Sequence, residues 1–149
     1  MEFNWINAFG GGVMALMLAP NVVYALRCPG QKNKCRNPWV NALEQVGRYA
    51  AIALMVFPLG VWEFGFDGVG RMLLYLAGNG ALLLLCYWLF WFLYFRKPTR
   101  GRALTLAVVP TGIFLLSGLT LGHRLLTAAA LLFGVGHVYV TLQNAPEPD

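Results

Sequence analysis

The chain has 149 residues, about the length of one domain. Of these, 58% are apolar and only 11% are charged, and the mean hydropathy is +0.61. Soluble domains carry about 25% charged residues, so the composition excludes a water-soluble fold and indicates a protein of the lipid bilayer. The net charge of +5 does not indicate a nucleic-acid partner, because no soluble segment carries a basic stripe with interleaved aromatic residues.

Four uncharged runs are long enough to cross a hydrocarbon core of about 30 Å at about 1.5 Å per residue. A fifth segment, after Pro38, has a shorter uncharged run, so its span must extend back over Arg48 towards Glu44. The runs lack the alternation of a membrane β-barrel. The five predicted spans cover residues 5–26, 41–63, 72–95, 103–122 and 125–143.

These spans predict an all-α integral membrane protein, in which residues 1–143 form a single bundle of five transmembrane helices. Residues 144–149 alternate proline with acidic residues and cannot bury apolar surface. They are predicted to form a short disordered tail.

The basic residues indicate which way the chain faces. Eight of the 11 lysines and arginines lie in or beside the loops after the first and third spans, and neither loop contains an acid. The positive-inside rule places these loops in the cytoplasm, where they would contact anionic lipid headgroups. We therefore expect a multi-pass protein of the cell membrane with its N-terminus outside and its C-terminus cytoplasmic. The eight residues are Arg27, Lys32, Lys34, Arg36, Arg96, Lys97, Arg100 and Arg102.

Small residues recur four positions apart on several predicted spans, a spacing that lets membrane helices approach closely. Gly118 and Gly122 on the fourth span and Ala130 and Gly134 on the fifth are examples. A bundle this small would leave some of these faces for self-association, so the pattern favours a homo-oligomer.

Two charged residues lie inside a predicted span. A charge in hydrocarbon costs roughly 2.5 to 3.5 kcal/mol on insertion scales, which makes it a functional candidate. Glu44 and Arg48 stand four positions apart, so they share one helix face with the acid on the N-terminal side, the favourable order. Pairing lowers the insertion penalty without removing it.

Further polar residues lie at about the depth of this pair. Asn21 and Tyr24 are near the cytoplasmic end of the first span, and His137 is about 9 Å from the cytoplasmic end of the fifth. Such groups can satisfy one another only in the bundle core. The sequence therefore predicts a cytoplasm-facing polar pocket formed by Asn21, Tyr24, Asn41, Glu44, Gln45, Arg48 and His137.

Two interpretations of this pocket are open. In the first, Arg48 attracts an anionic group and Glu44 or His137 exchanges protons near neutral pH. In the second, Arg48 extends to the anionic leaflet with Glu44 as its partner, and Asn21 and His137 only join neighbouring helices.

Metal and cofactor motifs are missing from the sequence. His123 and His137 have the interval of some haem-bearing helices, but two haems need four axial histidines. Cys28 and Cys35 lack the two further ligands that a zinc site needs, and they are either two ordinary thiols or a redox pair. No phosphate-binding loop or nucleophile elbow is found. We expect no metal and no cofactor.

Two short segments resemble the membrane-associated eicosanoid and glutathione metabolism family. The segment 41–44, Asn-Ala-Leu-Glu, is similar to the Asn-x-x-Glu of that family's second helix, and the segment 96–100, Arg-Lys-Pro-Thr-Arg, is similar to the basic turn after its third. The resemblance implies that Asn41, Glu44 and these arginines would hold a thiol cofactor beside a lipid substrate. It covers fewer than ten positions. This chain departs from the family in having five predicted spans rather than four and no arginine within 72–95, so no family is assigned from it.

Three hypotheses about function remain. The first is binding or transport of a small solute or ion at the polar pocket, which we favour because no catalytic motif is present. The second is a membrane-embedded enzyme acting on a lipid or lipid-linked substrate, with Glu44 or His137 transferring protons and Arg48 holding a phosphate or carboxylate. The third is a non-catalytic assembly or regulatory subunit, which would need only the packing faces.

Overall fold

The computed structural model of the protein describes residues 5–57, 59–60 and 65–146. Within these ranges the chain forms five helices, which confirms the predicted all-α class and helix number. The helices are α1 (Ala8–Arg27), α2 (Pro38–Val56), α3 (Val69–Arg96), α4 (Arg100–Thr120) and α5 (Arg124–Asn144).

Four of these helices, α1, α3, α4 and α5, are long and apolar enough to cross a membrane. α2 has 19 residues and is about 28 Å long at 1.5 Å per residue, but its first half carries Asn41, Glu44, Gln45 and Arg48. Polar side chains in a membrane bundle have to find partners on neighbouring helices. The surroundings of α2 therefore decide what the bundle can do.

The boundaries of α2 follow from local sequence signals. Asn37 is its N-cap and accepts hydrogen bonds from the backbone N–H groups of Trp39 and Val40. Pro38 lies in the first turn, where backbone N–H groups have no acceptor within the helix. The N–H that proline lacks is therefore not missed at this position. The helix thus begins three residues before the predicted span 41–63. Residues 61–63, the predicted end of that span, lie outside the described residues.

The last helix reaches into the segment predicted as a tail. α5 ends at Asn144, whose side chain accepts a hydrogen bond from the backbone N–H of Lys34 at 2.7 Å and donates one to Asn33 at 2.8 Å. These contacts hold the loop between α1 and α2 against the end of α5. Residues 147–149 of the predicted tail lie outside the described part of the chain.

Helix α3 contains a π-helical segment, Ala81–Tyr87. An α-helix turns about 100° per residue, so side chains at a strict four-residue spacing drift by about 40° at each step. The wider i→i+5 turns of the π segment counter this drift. They keep one row of buried side chains on the inner face of α3, namely Tyr75, Asn79, Leu83, Tyr87 and Trp91.

The most extensive packing joins α2 to α5, which run antiparallel. A Cβ atom on Gly136 would lie 2.9 Å from the backbone of Glu44, and one on Gly47 would lie 2.6 Å from the backbone N of Phe133. Only glycine at both positions lets the two backbones approach this far. Gly118 in α4 meets Thr127 in α5 in a similar way. The small residues on these helices therefore serve contacts within the bundle.

The two ends of the bundle differ in charge. The end with the α1–α2 and α3–α4 loops carries the eight basic residues of those loops and is called the basic end below. The opposite end carries the α4–α5 turn and the start of α3, where Asp67 and Arg71 form an exposed ion pair.

Candidate functional site

The buried carboxylate of Glu44 lies at the centre of the polar side chains near the basic end. Only 2% of the residue is exposed, because the backbone of α5 at Gly136 covers it. Its Oε1 atom forms an ion pair with Arg48 of the same helix and lies 3.1 Å from Nδ1 of His137 in α5. One carboxylate oxygen thus holds a guanidinium and an imidazole, and we call these three residues the charged cluster.

The imidazole of His137 is fixed on two sides. Its ring stacks on Phe133, one turn earlier in α5, with centroids 4.6 Å apart and an interplanar angle of 20°. Its Nδ1 faces Glu44. Phe133 and Glu44 thus fix the plane of the ring and the direction of its Nδ1 atom.

Arg48 and His137 both line an inner cavity, whereas Glu44 stands behind them. The cavity has two lobes that share Asn21, Tyr87 and His137 as lining residues. The first lobe, of about 160 Å³, includes Arg48 and extends towards the middle of the bundle. Its remaining lining residues are Met14, Met17, Leu18, Ile52, Pro110, Phe114 and Phe133.

The second lobe, of about 210 Å³, is aromatic and lies nearer the basic end. Tyr24, Trp91 and Tyr94 form one wall of it, and Ala103, Leu106, Ala107 and Thr141 complete the lining. A basic vestibule of about 720 Å³ adjoins both lobes, since it shares Arg48 with the first and Tyr24 with the second. The other residues that line the vestibule are Gln31, Lys32, Asn33, Lys34 and Asn144.

Asn21 and Tyr24 both line the inner cavity. Asn21 donates hydrogen bonds to the Tyr87 hydroxyl at 2.6 Å and to the Met17 carbonyl at 2.7 Å. The Tyr24 hydroxyl donates to the side chain of Gln31 at 2.7 Å. Both residues thus join the lining, but neither has a hydrogen bond to the charged cluster.

Asn41 and Gln45 lie elsewhere. The Asn41 side chain donates to the Cys35 carbonyl and accepts from Asn33, both at 2.9 Å, so it holds the α1–α2 loop in place. Gln45 is exposed on the outer side of α2. Neighbouring residues in an α-helix point about 100° apart. Gln45 therefore faces away from the pocket although it follows Glu44 directly in the sequence.

Two site residues were missed by the sequence interpretation. Tyr87 and Trp91 were not among the predicted pocket residues, but both are buried and line the inner cavity. Their four-residue spacing from Tyr75 and Asn79 could have indicated that Tyr87 and Trp91 lie on the same helix face as these residues.

A second group of polar side chains lies towards the opposite end and carries no formal charge. Asn79 of α3 donates to the Ser117 hydroxyl of α4 at 3.3 Å. The Tyr75 hydroxyl faces Ser117 and the side chain of Asn7. We call these four residues the neutral cluster; each is at most 1% exposed, and none lines the lobes or the vestibule.

Comparison of the chain with protein-family models, with curated proteins and with solved structures finds no significant match. The site is therefore interpreted from its own geometry.

Proposed function

We propose that the protein is a multi-pass protein of the cell membrane that binds a small organic anion in the inner cavity and transports it together with a proton. The observation that carries the proposal is that Arg48 and His137 line one cavity while the carboxylate that holds both is buried behind them. The described lining of the cavity thus contains a guanidinium and an imidazole and no acid. Donor groups of this kind are suited to an anionic ligand.

Charge balance supports coupling to a proton. Glu44 compensates Arg48, so with a neutral imidazole the charged cluster has no net charge. A protonated His137 gives the cluster a charge of +1, which an entering monoanion would neutralise. Imidazole exchanges protons near neutral pH, and charge is costly to leave uncompensated in a membrane. Anion and proton would therefore bind together.

The vestibule and the basic end support access from the cytoplasm. Lys32 and Lys34 line the vestibule directly outside Arg48, and basic walls raise the local concentration of anions. The concentration of basic residues at this end agrees with the positive-inside rule, so we propose that the basic end is cytoplasmic and the N-terminus lies outside. We also propose that the protein associates with further copies of itself.

A buried apolar layer favours transport over binding alone. The apolar side chains of Met14, Leu83 and Phe114 are buried in the bundle core. Transporters place their binding site behind a barrier that opens alternately. These apolar side chains would form that barrier on the side away from the vestibule.

The test is uptake of radiolabelled lactate, succinate and inorganic phosphate into proteoliposomes with an alkaline interior. We expect saturable uptake of at least one anion, and we expect R48Q to weaken its apparent affinity about tenfold or more, because a hydrogen bond to a charged group contributes about 1.5–3 kcal/mol. H137Q should remove the dependence on the pH gradient. R71Q is the matched control, since Arg71 also pairs with an acid four positions away but outside the cavity. No uptake above that of empty liposomes, or an equal loss in R71Q, would contradict the proposal.

A further inference from the structure

The first lobe reaches the lipid-facing surface between α1 and α2. Leu18 and Asn21 line this lobe, yet both are exposed, Leu18 with 45% of its surface. Across the gap, Arg48 and Ile52 of α2 also line the lobe and are partly exposed. The outer surface of a membrane bundle faces acyl chains. A cavity whose wall is exposed there is open to the bilayer.

The contacts of α1 explain this opening. Just before α1, the backbone N–H of Asn7 donates to the Val56 carbonyl at 2.8 Å and its side chain donates to Met55 at 3.2 Å, which fixes this end of α1 to α2. Nearer the basic end, α1 is hydrogen-bonded to α3 instead, through Asn21 and Tyr87. Because α1 changes partner along its length, a gap forms between α1 and α2 beside the charged cluster.

The lining of the first lobe changes from charged to apolar with depth. Arg48 and His137 are its cationic groups, and beyond them Met14, Met17 and Phe114 offer apolar surface. Methionine side chains adapt to flexible apolar ligands. A small hydrophilic anion would use only the cationic part of this lobe and would leave the apolar wall without contacts.

We infer that the ligand is an anionic amphiphile with a single acyl chain, which reaches the inner cavity from the bilayer through the gap between α1 and α2. Its carboxylate or phosphate lies between Arg48 and His137, part of its chain lies against Met14, Met17 and Phe114, and the remainder extends through the gap into lipid. This inference rests on the proposed function, since it assigns a ligand class to the same cationic groups.

Photocrosslinking can locate the chain. The full-length protein in phosphatidylcholine nanodiscs is irradiated with a palmitic acid analogue that carries a diazirine in mid-chain, and the labelled residues are mapped by mass spectrometry. We expect labels at Met14, Met17 and Phe114, and a reduction of about tenfold in R48Q. Dodecanoate and dodecyl phosphate are added as competitors to distinguish a carboxylate from a phosphate headgroup, and dodecanol is expected not to compete.

Two leucines provide a matched pair of variants. Leu16 and Leu18 are each 45% exposed on α1, but only Leu18 lines the first lobe. Tryptophan at the gap would obstruct the chain, so L18W should lower the labelling of Met17 at least fivefold, whereas L16W should leave it unchanged. Purified L18W should elute as L16W does in size-exclusion chromatography, which establishes that the variant folds.

The outcomes separate this inference from the proposed function. Labels confined to lipid-facing side chains, equal competition by dodecanol, or equal labelling of Met17 in L18W and L16W would each overturn the amphiphile. If uptake of lactate, succinate or phosphate still depends on Arg48 in that case, the proposed function stands without it. If neither Arg48-dependent uptake nor labelling of the lobe is found, both proposals are refuted.

Discussion

The charged and neutral clusters lie in one bundle, yet they differ in access. Both contain buried hydrogen-bonding groups contributed by more than one helix. The charged cluster borders the inner cavity, and its arginine side chain is 38% exposed. The neutral cluster lies outside the lobes, and its Asn79–Ser117 hydrogen bond links α3 to α4.

This difference shows that burial of polar groups does not by itself identify a site. Hydrogen bonds between neutral side chains commonly join membrane helices and contribute about 0.6 kcal/mol each on average. Inserting an ion pair into a membrane bundle costs more free energy than inserting a neutral pair. A cavity beside an ion pair is therefore a stronger indication of a functional site. Variants that change packing, charge or protonation at single residues can distinguish the surroundings of the charged cluster from the opposite end of the bundle.

The largest effect is expected from G136L. A Cβ atom at Gly136 would lie 2.9 Å from the backbone of Glu44. A helix backbone cannot move aside as the end of a flexible side chain can. Overpacking against a backbone forces the two helices apart, so we expect α2 and α5 to separate and the protein to lose its monodisperse peak in size-exclusion chromatography. G12L is the control, because a Cβ atom at Gly12 meets nothing within 4 Å. A normal peak for G136L would refute the close α2–α5 contact.

A smaller loss of stability is expected from E44A. Removing one partner of a buried ion pair costs about 3–5 kcal/mol, and the partial exposure of Arg48 reduces this to roughly 2–3 kcal/mol. For a chain of this size the melting temperature in detergent should fall by about 4–12 °C. D67A removes the acid of the exposed pair with Arg71 and should cost about 1 kcal/mol or less. Similar falls in both variants would contradict the buried position of Glu44.

Much of the fold could be predicted because it follows from the order of residues along the chain and from their depth along each helix axis. The uncharged runs indicate helices, and the Asn37–Pro38 pair indicates where α2 begins. For depth, a rise of about 1.5 Å per residue places Glu44 and His137 at a similar level, and the structure brings them to 3.1 Å.

The rest depends on rotation about the helix axes and on contacts between distant residues. Gln45 shares the depth of Glu44 but lies on the exposed face of α2. Tyr87 lies on the inner face because the π segment alters the rotation of α3, and α-helical periodicity does not include such a segment. Asn7 precedes the first helix, and contacts with other helices bury it.

The mildest prediction concerns protonation of His123, the N-cap of α5 at the opposite end. Burial lowers the pKa of His123 below its ordinary value, and its Nδ1 accepts a hydrogen bond from the Leu126 backbone N–H at 3.3 Å. Only an unprotonated Nδ1 can accept this bond. The unfolded chain takes up the proton more readily, so the stabilisation is complete above about pH 6.5 and is lost as the pH falls towards the lower pKa of the folded state.

H123N should remove this pH dependence while keeping a side chain suited to the N-cap position. The measurement is the melting temperature in detergent at pH 7.5 and pH 5.0 for both proteins. All other titratable groups are the same in both proteins, so their contributions cancel when the two shifts are subtracted. We expect the melting temperature of the wild-type protein to fall further on acidification than that of the variant. Equal shifts would show that His123 titrates alike in the folded and unfolded chains, which would contradict the prediction.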